Sequence, residues 1–179
     1  FVSVGWTGIL GGWTFINEKG LFVANNLGGG WEKNPKGIPT LILQRMIAQR
    51  AATVEEAIGL IKKAPRMRGQ AMVIGHAGDG VAPSAALVLY DAEGVEVKRP
   101  RGGFIYHTSV GTMEDALRRN ISARRRHVYD PIKAAGNGIT LHSVAIDPIA
   151  CKIWVAHGGD RPHEGEYVQY ELRKLRAEN

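Results

Sequence analysis

Histidine and cysteine are the side chains in this sequence that most readily act as bases, metal ligands or nucleophiles. The six histidines are scattered over the 179 residues, with no His-Glu-x-x-His motif and no pair at i, i+4. They are His76, His107, His127, His142, His157 and His163. The last two flank Asp160 in the Gly-rich segment HGGDRPHEG, where metal ligation is conceivable chemistry but a polar turn between two strands is the favoured interpretation.

Cys151 is the single cysteine of the sequence, which excludes an intrachain disulfide and a multi-cysteine metal site. It begins an apolar segment with Ile153 and Trp154, and this context favours an inert structural thiol over a nucleophile. The glycines at 28–30 lack the spacing and the Lys-Ser/Thr pair of a phosphate-binding loop. From the residues alone, the sequence therefore contains no complete set of nucleophile, base and orienting group.

Basic residues outnumber acidic ones, 23 to 17, which gives a formal net charge of +6. Many of them lie within residues 98–126, namely Lys98, Arg99, Arg101, Arg118, Arg119, Arg124, Arg125 and Arg126. A nucleic-acid surface is one interpretation, a solvated helix face is the favoured one, and a third is a buried arginine that orients a catalytic group. The hydrophobic fraction of 44% predicts a globular protein, and no apolar run approaches the ~18 residues of a membrane-spanning helix.

The elements that must position these residues follow from periodicity and turn chemistry. Residues 6–26 predict two strands around a turn at Asn17-Glu-Lys-Gly20, and apolar spacing predicts a helix from Thr40 to about Arg50. A capping-box pattern at Thr53-Val-Glu-Glu56 opens a second helix that ends near Lys63. Further strands are predicted at 70–76, 84–90, 94–99, 103–109, 140–146, 151–157 and 166–173, with a helical stretch at 112–134. Runs of strands with grouped helices favour one α+β domain over 1–179 with antiparallel sheets.

Several short segments, taken in order, resemble one known clan. Asn17-Glu-Lys-Gly-Leu21 lies in a hairpin entered by Gly5-Trp-Thr-Gly8 and left by Val23-Ala-Asn-Asn26. The later segments are Ile38-Pro-Thr40 with Arg45, Ala52-Thr-Val-Glu-Glu-Ala57, Ile121-Ser-Ala-Arg124, Thr140-Leu-His-Ser-Val144 with Asp147-Pro148, Trp154-Val-Ala-His-Gly158 and the closing Tyr167 strand. Together they resemble the choloylglycine-hydrolase and penicillin-acylase clan, in the branch typified by acyl-coenzyme A:6-aminopenicillanic acid acyltransferase.

The resemblance implies an N-terminal-nucleophile (Ntn) hydrolase with an αββα four-layer sandwich. In that clan, self-cleavage exposes an N-terminal cysteine, whose thiolate attacks a linear amide, thioester or ester carbonyl with its own α-amino group as base. The hairpin lies several dozen residues after that nucleophile in the family, whereas this sequence begins with Phe1. We therefore expect a C-terminal part of the domain, incomplete at its N-terminus and inactive alone, with the nucleophilic cysteine on an upstream segment or chain.

The resemblance also implies site residues, position by position. Asn25 or Asn26, at the exit of the hairpin, matches a position that lines the pocket and donates to the oxyanion; the alternative is a turn asparagine leading into the glycines. Ser109 stands where the family has an oxyanion-donating asparagine, and a hydroxyl has one O–H in place of an amide NH₂. His107 or Thr108 would compensate for that difference. Arg124 matches the arginine that holds the nucleophile and its carboxylate partner.

The prediction is thus a thiol-dependent amidohydrolase or acyltransferase, with Asn26, Ser109 and Arg124 in catalysis and Asn25, His107 and Thr108 in substrate binding. The expected partners are a small-molecule acyl amide or thioester, the upstream chain and, because a fragment exposes a sheet edge, a second copy of the chain. No cofactor, metal, membrane or nucleic acid is expected. Two alternatives remain: a non-catalytic relative or binding module that uses the basic 98–126 face for an acidic ligand or nucleic acid, and a Cys151-dependent hydrolase.

Overall fold

The computed structural model of the 179-residue chain describes residues 1–26, 28–78, 83–101, 105, 107, 142–150, 152–157, 161 and 164–171. The chain divides into two compact units, Phe1–His107 and Thr108–Asn179. The prediction of a single domain over 1–179 stays a prediction.

The first unit contains a six-stranded antiparallel sheet whose strands lie side by side in chain order. Its elements are β1 (Val2–Val4), β2 (Thr14–Ile16), β3 (Leu21–Asn26), α1 (Thr40–Arg50), α2 (Val54–Lys63), β4 (Gln70–His76), β5 (Ser84–Tyr90) and β6 (Val95–Lys98). Short connections join β2 to β3 and β5 to β6, and the two helices occupy the long connection between β3 and β4. This is the antiparallel pattern with grouped helices that the sequence predicts.

The core of this unit lies between the helices and one side of the sheet. Val23 of β3 and Met72 of β4 are fully buried, and they cluster with Leu43 and Ile47 of α1 and Ile61 of α2. Residues two apart on a strand share a side, so the residues that cluster with the helices identify the helix-facing side of the sheet. Burial of a side chain of this size stabilises the fold by about 1.5–3 kcal/mol.

Asn17 fastens the β2–β3 turn to the end of α1. Its Nδ2 donates to the carbonyls of Ala48 and Ala51 at 3.1 and 2.8 Å, and its Oδ1 accepts from the N–H groups of Lys19 and Leu21. The residue is only 6% exposed, and all four hydrogen bonds go to backbone groups. The Asn of the hairpin motif is therefore an organiser of the turn and of the helix C-terminus.

Arg66 plays a similar part at the end of α2. The side chain is 5% exposed, and its guanidinium donates to the carbonyls of Ile61, Lys62, Ala64, Asp91 and Ala92. These carbonyls belong to the last turn of α2, the residue that follows it and the β5–β6 turn. A buried charge is tolerated because carbonyl oxygens surround it.

The second unit, as far as the structure describes it, contains a three-stranded antiparallel sheet. Its strands are β7 (His142–Asp147), β8 (Lys152–His157) and β9 (Val168–Glu171), in the order β7-β8-β9. Asp147 accepts hydrogen bonds from the N–H groups of Ile149 and Ala150, which builds the predicted turn at Asp147-Pro148. Ile153 of β8 is buried, as its place in the apolar segment predicts.

The predicted helices are confirmed at both positions, and so is the capping box. Thr53 accepts from the N–H of Glu56 at 3.2 Å, while the Glu56 carboxylate accepts from Ala52 N–H at 2.7 Å. The strands predicted at 70–76 and 84–90 are confirmed with the same bounds, and those predicted at 94–99, 140–146, 151–157 and 166–173 within two residues. The helical stretch predicted at 112–134 lies outside the described residues.

The strand predicted to begin at residue 6 is wrong before Thr14. Added Cβ atoms at Gly11 and Gly12 would meet the Leu41 backbone oxygen at 2.2 Å and the Ser3 Cβ at 2.6 Å. Residues 6–13 therefore pack closely on α1 and β1 instead of pairing as a strand, and Arg45 of α1 donates to the carbonyl of Leu10 at 2.8 Å.

Candidate functional site

Two of the predicted site residues meet at the end of β3. The Nδ2 of Asn26 donates to the backbone carbonyl of His107 at 3.4 Å, across 81 residues of sequence. Asn26 is exposed and His107 is half-buried, so both side chains are accessible to a ligand. This contact places the last residue of the hairpin beside the end of the first unit.

Gly28 completes this contact because it carries no side chain. A Cβ atom there would lie 2.7 Å from Nε2 of His107 and 3.2 Å from the Cβ of Ala71, and the residue has φ 144°. Only glycine lets the loop pass this close to the imidazole ring without strain. The glycine run lacks the motif of a phosphate-binding loop, but it has a structural role, because it allows the loop to approach His107 closely.

Gly29 and Gly30 are constrained in the same way. A Cβ on Gly29 would lie 2.2 Å from the Tyr90 carbonyl oxygen, and one on Gly30 would overlap the Asp91 carboxylate. The three glycines lay the loop against the ends of β4 and β5. The signal in the sequence is the run of three glycines directly after a hairpin strand, which indicates close approach of other backbone.

Asn25 and Asn26 face opposite sides of the sheet, as neighbours on a strand must. Asn25 shares the helix-facing side with Val23, and its two side-chain amide atoms are buried with no hydrogen-bond partner in the described part of the chain. The structure brings Asn26 to His107 and leaves Asn25 on the other side. Of the remaining predicted site residues, Thr108, Ser109 and Arg124 lie outside the described residues, and so does Cys151.

A cavity of about 740 Å³ lies between the Gly-rich loop and the segment that leads into β4. It begins at Gly28 and is bordered by Trp31, Lys33, Met67 and Arg68. Trp31 is 90% exposed, so its indole offers an uncovered apolar face at the cavity. An apolar surface with two cations suits a molecule that has both an apolar part and an anionic group.

Two titratable groups near this end of the sheet have shifted pKa values. Burial raises the pKa of Tyr90 from its ordinary value near 10 to about 12, and the nearby Thr40 hydroxyl and the charges of Arg66 and Arg68 oppose that rise only in part. The N–H groups of Gly94 and Glu93 lower the pKa of Asp91, because they donate to its carboxylate. The hydrogen bonds to Asp91 also close the β5–β6 turn.

Only the first residues of the basic 98–126 segment belong to the described part of the chain. Lys98 pairs with Glu96 at 3.5 Å, and Arg99 pairs with Glu55 at 2.5 Å. These cations are therefore engaged by carboxylates of the same unit. Among the described residues, no group of three or more His, Cys, Asp or Glu side chains is arranged to hold a metal ion. No helix in that part of the chain is both long and apolar enough to cross a membrane.

A comparison with solved structures shows the class of fold. The chain is similar to a mutant of conjugated bile acid hydrolase from Clostridium perfringens, with a TM-score of 0.64 and 10% sequence identity. The match covers 96% of this chain and 76% of that one. The fold is therefore that of the Ntn hydrolases, and the predicted α+β class with an αββα Ntn-hydrolase-like sandwich is confirmed.

The family follows from a match over the first unit. Residues 1–108 match the model of the acyl-coenzyme A:6-aminopenicillanic acid acyl-transferase family, which is more than half of the chain. The chain belongs to this family, and the resemblance predicted from the hairpin and helix motifs is confirmed. A comparison with curated proteins gives no match.

Proposed function

We propose that the protein is a cysteine-dependent Ntn amidohydrolase or acyltransferase that acts on linear amides or thioesters. The family and the fold support an amidohydrolase or acyltransferase of this class. The observation in this chain that supports the proposal is the contact between Asn26 and His107 beside Gly28, which borders the cavity. It places polar side chains next to Gly28, which borders a space large enough for a small acyl compound.

In the proposed reaction, a cysteine thiolate attacks the carbonyl carbon and forms a thioester. The bond to the amine or thiol breaks, and that leaving group takes up a proton. Water, or a second amine, then attacks the thioester and restores the thiolate. Asn26 and Ser109 donate hydrogen bonds to the oxyanion of both tetrahedral intermediates, and Arg124 orients the nucleophile.

The substrate's remaining groups occupy the cavity. Trp31 and Met67 contact its apolar part, while Lys33 and Arg68 attract an anionic group. His107 and Thr108 contribute to substrate binding in this proposal, whereas Asn25 supports the strand from the opposite side instead of touching the substrate. The single-sided placement of Asn26 supports this division of roles between the two asparagines.

The nucleophile in this proposal is a cysteine other than Cys151, on a segment upstream of the hairpin. Intact mass and N-terminal sequencing of the denatured protein, purified from its natural source, test this part. A chain or extension that begins with cysteine is the expected result. If Cys151→Ala abolishes thiol-dependent activity, this part of the proposal is wrong.

The role of Asn26 is tested by hydrolysis of a chromogenic amide and of an acyl thioester. Loss of one oxyanion donor lowers kcat by about 10²–10³-fold, and we expect Asn26→Ala to fall in that range. Asn34→Ala, in the loop that follows β3 and without a hydrogen bond to His107, is the matched control and should retain the rate. An Asn26→Ala variant with full activity would contradict the assignment.

The binding-module alternative is distinguished by the same material. The non-catalytic alternative is correct if the protein hydrolyses neither substrate, with or without thiol alkylation, and if its affinity for a duplex oligonucleotide falls steeply with salt. The homo-oligomer remains a prediction, which light scattering of the purified protein measures.

A further inference from the structure

One end of the helix-facing side of the sheet carries a row of side chains whose polar atoms are buried. Phe15, Val23, Met72 and Val88 belong to the core, one on each of the strands β2 to β5. Asn25, Gln70 and Tyr90 lie two residues beyond or before these core residues on β3, β4 and β5, and Trp13 lies two residues before Phe15, just outside β2. Residues two apart on a strand share a side, so Asn25, Gln70 and Tyr90 face the helices, and Trp13 is the backbone neighbour of Asn25.

The strand pairing shows that these four residues lie at the same end of the sheet. Asn25 N–H donates to the Trp13 carbonyl at 3.0 Å, Asn25 pairs with Met72, and Gln70 pairs with Tyr90. Strands β2 and β4 run antiparallel to β3 and β5. Earlier residues of β2 and β4 therefore lie at the same end of the sheet as later residues of β3 and β5. We call Trp13, Asn25, Gln70 and Tyr90 the polar row.

Helix α1 places a fifth buried polar side chain over this side of the sheet. Its first residue, Thr40, lies near the Tyr90 hydroxyl, and its last turns meet Asn17 through the carbonyls of Ala48 and Ala51. Gln44 lies midway between Thr40 and Ala48 and, at i, i+4 from both, on the same face of the helix. It is fully buried.

The polar row and Gln44 have polar atoms that the protein does not pair. Within the described residues, the buried side-chain atoms without a hydrogen-bond partner are Trp13 Nε1, both amide atoms of Asn25 and of Gln44, Gln70 Oε1 and the Tyr90 hydroxyl. Every one of them belongs to this single region. Buried polar groups of folded proteins are paired with protein or ordered water, and leaving this many unpaired would offset most of the stability of a domain.

The chemistry of the unpaired atoms identifies what can bind there. Trp13 Nε1 and the two amide nitrogens are donors, the three amide oxygens are acceptors, and the Tyr90 hydroxyl is both. A cation would leave the donors unpaired, and an anion would leave the acceptors unpaired. A small neutral molecule that both donates and accepts satisfies the whole set.

We propose that ordered water molecules bind between Gln44 and the polar row and form a permanent internal site of this protein. Water supplies the two donors and two acceptors that a mixed set needs, and polar internal sites hold water where apolar ones stay dry. The site braces the end of β3 at Asn25, the residue that precedes Asn26. It lies on the opposite side of the sheet from Asn26 and does not depend on the proposed function.

A high-resolution crystal structure of the protein tests the proposal directly. We expect ordered water within hydrogen-bond distance of Gln44 and of at least two members of the polar row. Direct pairing of the side chains with one another, without water, would overturn the proposal. Density for an organic molecule at the site would also overturn it, since the site would then belong to a different ligand.

The stability of matched variants provides the second test. Gln44→Met removes the amide at nearly constant volume and leaves the water short of a partner, so we expect the unfolding constant to rise about five- to tenfold. Gln49→Met makes the same change at an exposed position of α1 and should alter the constant less than about twofold. A Gln44→Met protein as stable as the parent would mean that the region is dry.

Tyr90→Phe keeps the test decisive if Gln44→Met does not fold. The hydroxyl is the member of the set that can be removed with the least change of shape. If it binds water, its loss raises the unfolding constant about threefold near neutral pH. An unchanged or lower constant would overturn the proposal as well.

Discussion

The two ends of β3 show opposite ways of burying an amide. At the first end, Asn17 makes four hydrogen bonds to backbone groups and closes both the turn and the end of α1. At the other end, both side-chain amide atoms of Asn25 are buried, and neither is paired with the described part of the chain. The paired end is complete within the chain, whereas we propose that ordered water completes the unpaired end. The candidate site lies at that unpaired end, where Asn26 meets His107.

The largest expected effect comes from breaking the paired end. Asn17→Ala leaves two carbonyls and two N–H groups without their partner, and we expect a loss of about 3 kcal/mol in the free energy of unfolding. Urea denaturation measures it, with Lys19→Ala in the same turn as the control. A loss below about 1 kcal/mol would show that water replaces Asn17 readily and that the two ends do not differ.

The unpaired end should reveal itself at alkaline pH. The pKa of Tyr90 is raised to about 12 in the folded protein, above its unfolded value near 10. The unfolded chain therefore loses this proton first, so the free energy of unfolding is unaffected below pH 10 and falls as the pH rises from 10 to 12. Two pKa units correspond to about 3 kcal/mol. We expect unfolding free energies measured between pH 9 and about 12 to fall less in Tyr90→Phe than in the parent, by up to that amount. Equal slopes in the two proteins would contradict the burial of the hydroxyl.

The smallest expected effect on stability comes from a similar hydrogen bond at an exposed position, which shows how much burial adds to such a bond. Thr53 pairs with the N–H of Glu56 in the same side-chain-to-backbone manner as Asn17, but at an exposed position. We expect Thr53→Ala to cost about 1 kcal/mol, with Thr53→Ser close to the parent. Thermal unfolding followed by circular dichroism measures both. A cost equal to that of Asn17→Ala would mean that burial adds nothing to such a pair.

Local chemistry explains why much of the fold could be predicted from the sequence. Asn17-Glu-Lys-Gly20 has the residues of a tight turn, and Thr53 with Glu56 forms a capping box whose partners are three residues apart. Both signals depend only on near neighbours in sequence. The same is true of Asp147, whose side chain builds its own turn. The family resemblance rests on such segments, and the match over 1–108 confirms it.

The candidate site was less predictable because its contacts join distant parts of the chain. Nothing near Gly28 in the sequence indicates that an imidazole 79 residues later will lie against it. The strand predicted from residue 6 is wrong before Thr14 for a similar reason, because Gly11 lies against Leu41, which is 30 residues away in the sequence. The sides of the sheet that Asn25 and Asn26 face were accessible in principle, because alternation from the apolar Val23 puts Asn25 on the core side.

Arg66 has a consequence for the order in which the molecule opens. Its guanidinium is bound at once to carbonyls at the end of α2 and to those of the β5–β6 turn, 25 and 26 residues further on. Neither segment can detach without stranding the buried charge. The helix end and the hairpin turn therefore behave as one cooperative unit, and their amide protons should exchange with solvent deuterium at a common opening free energy.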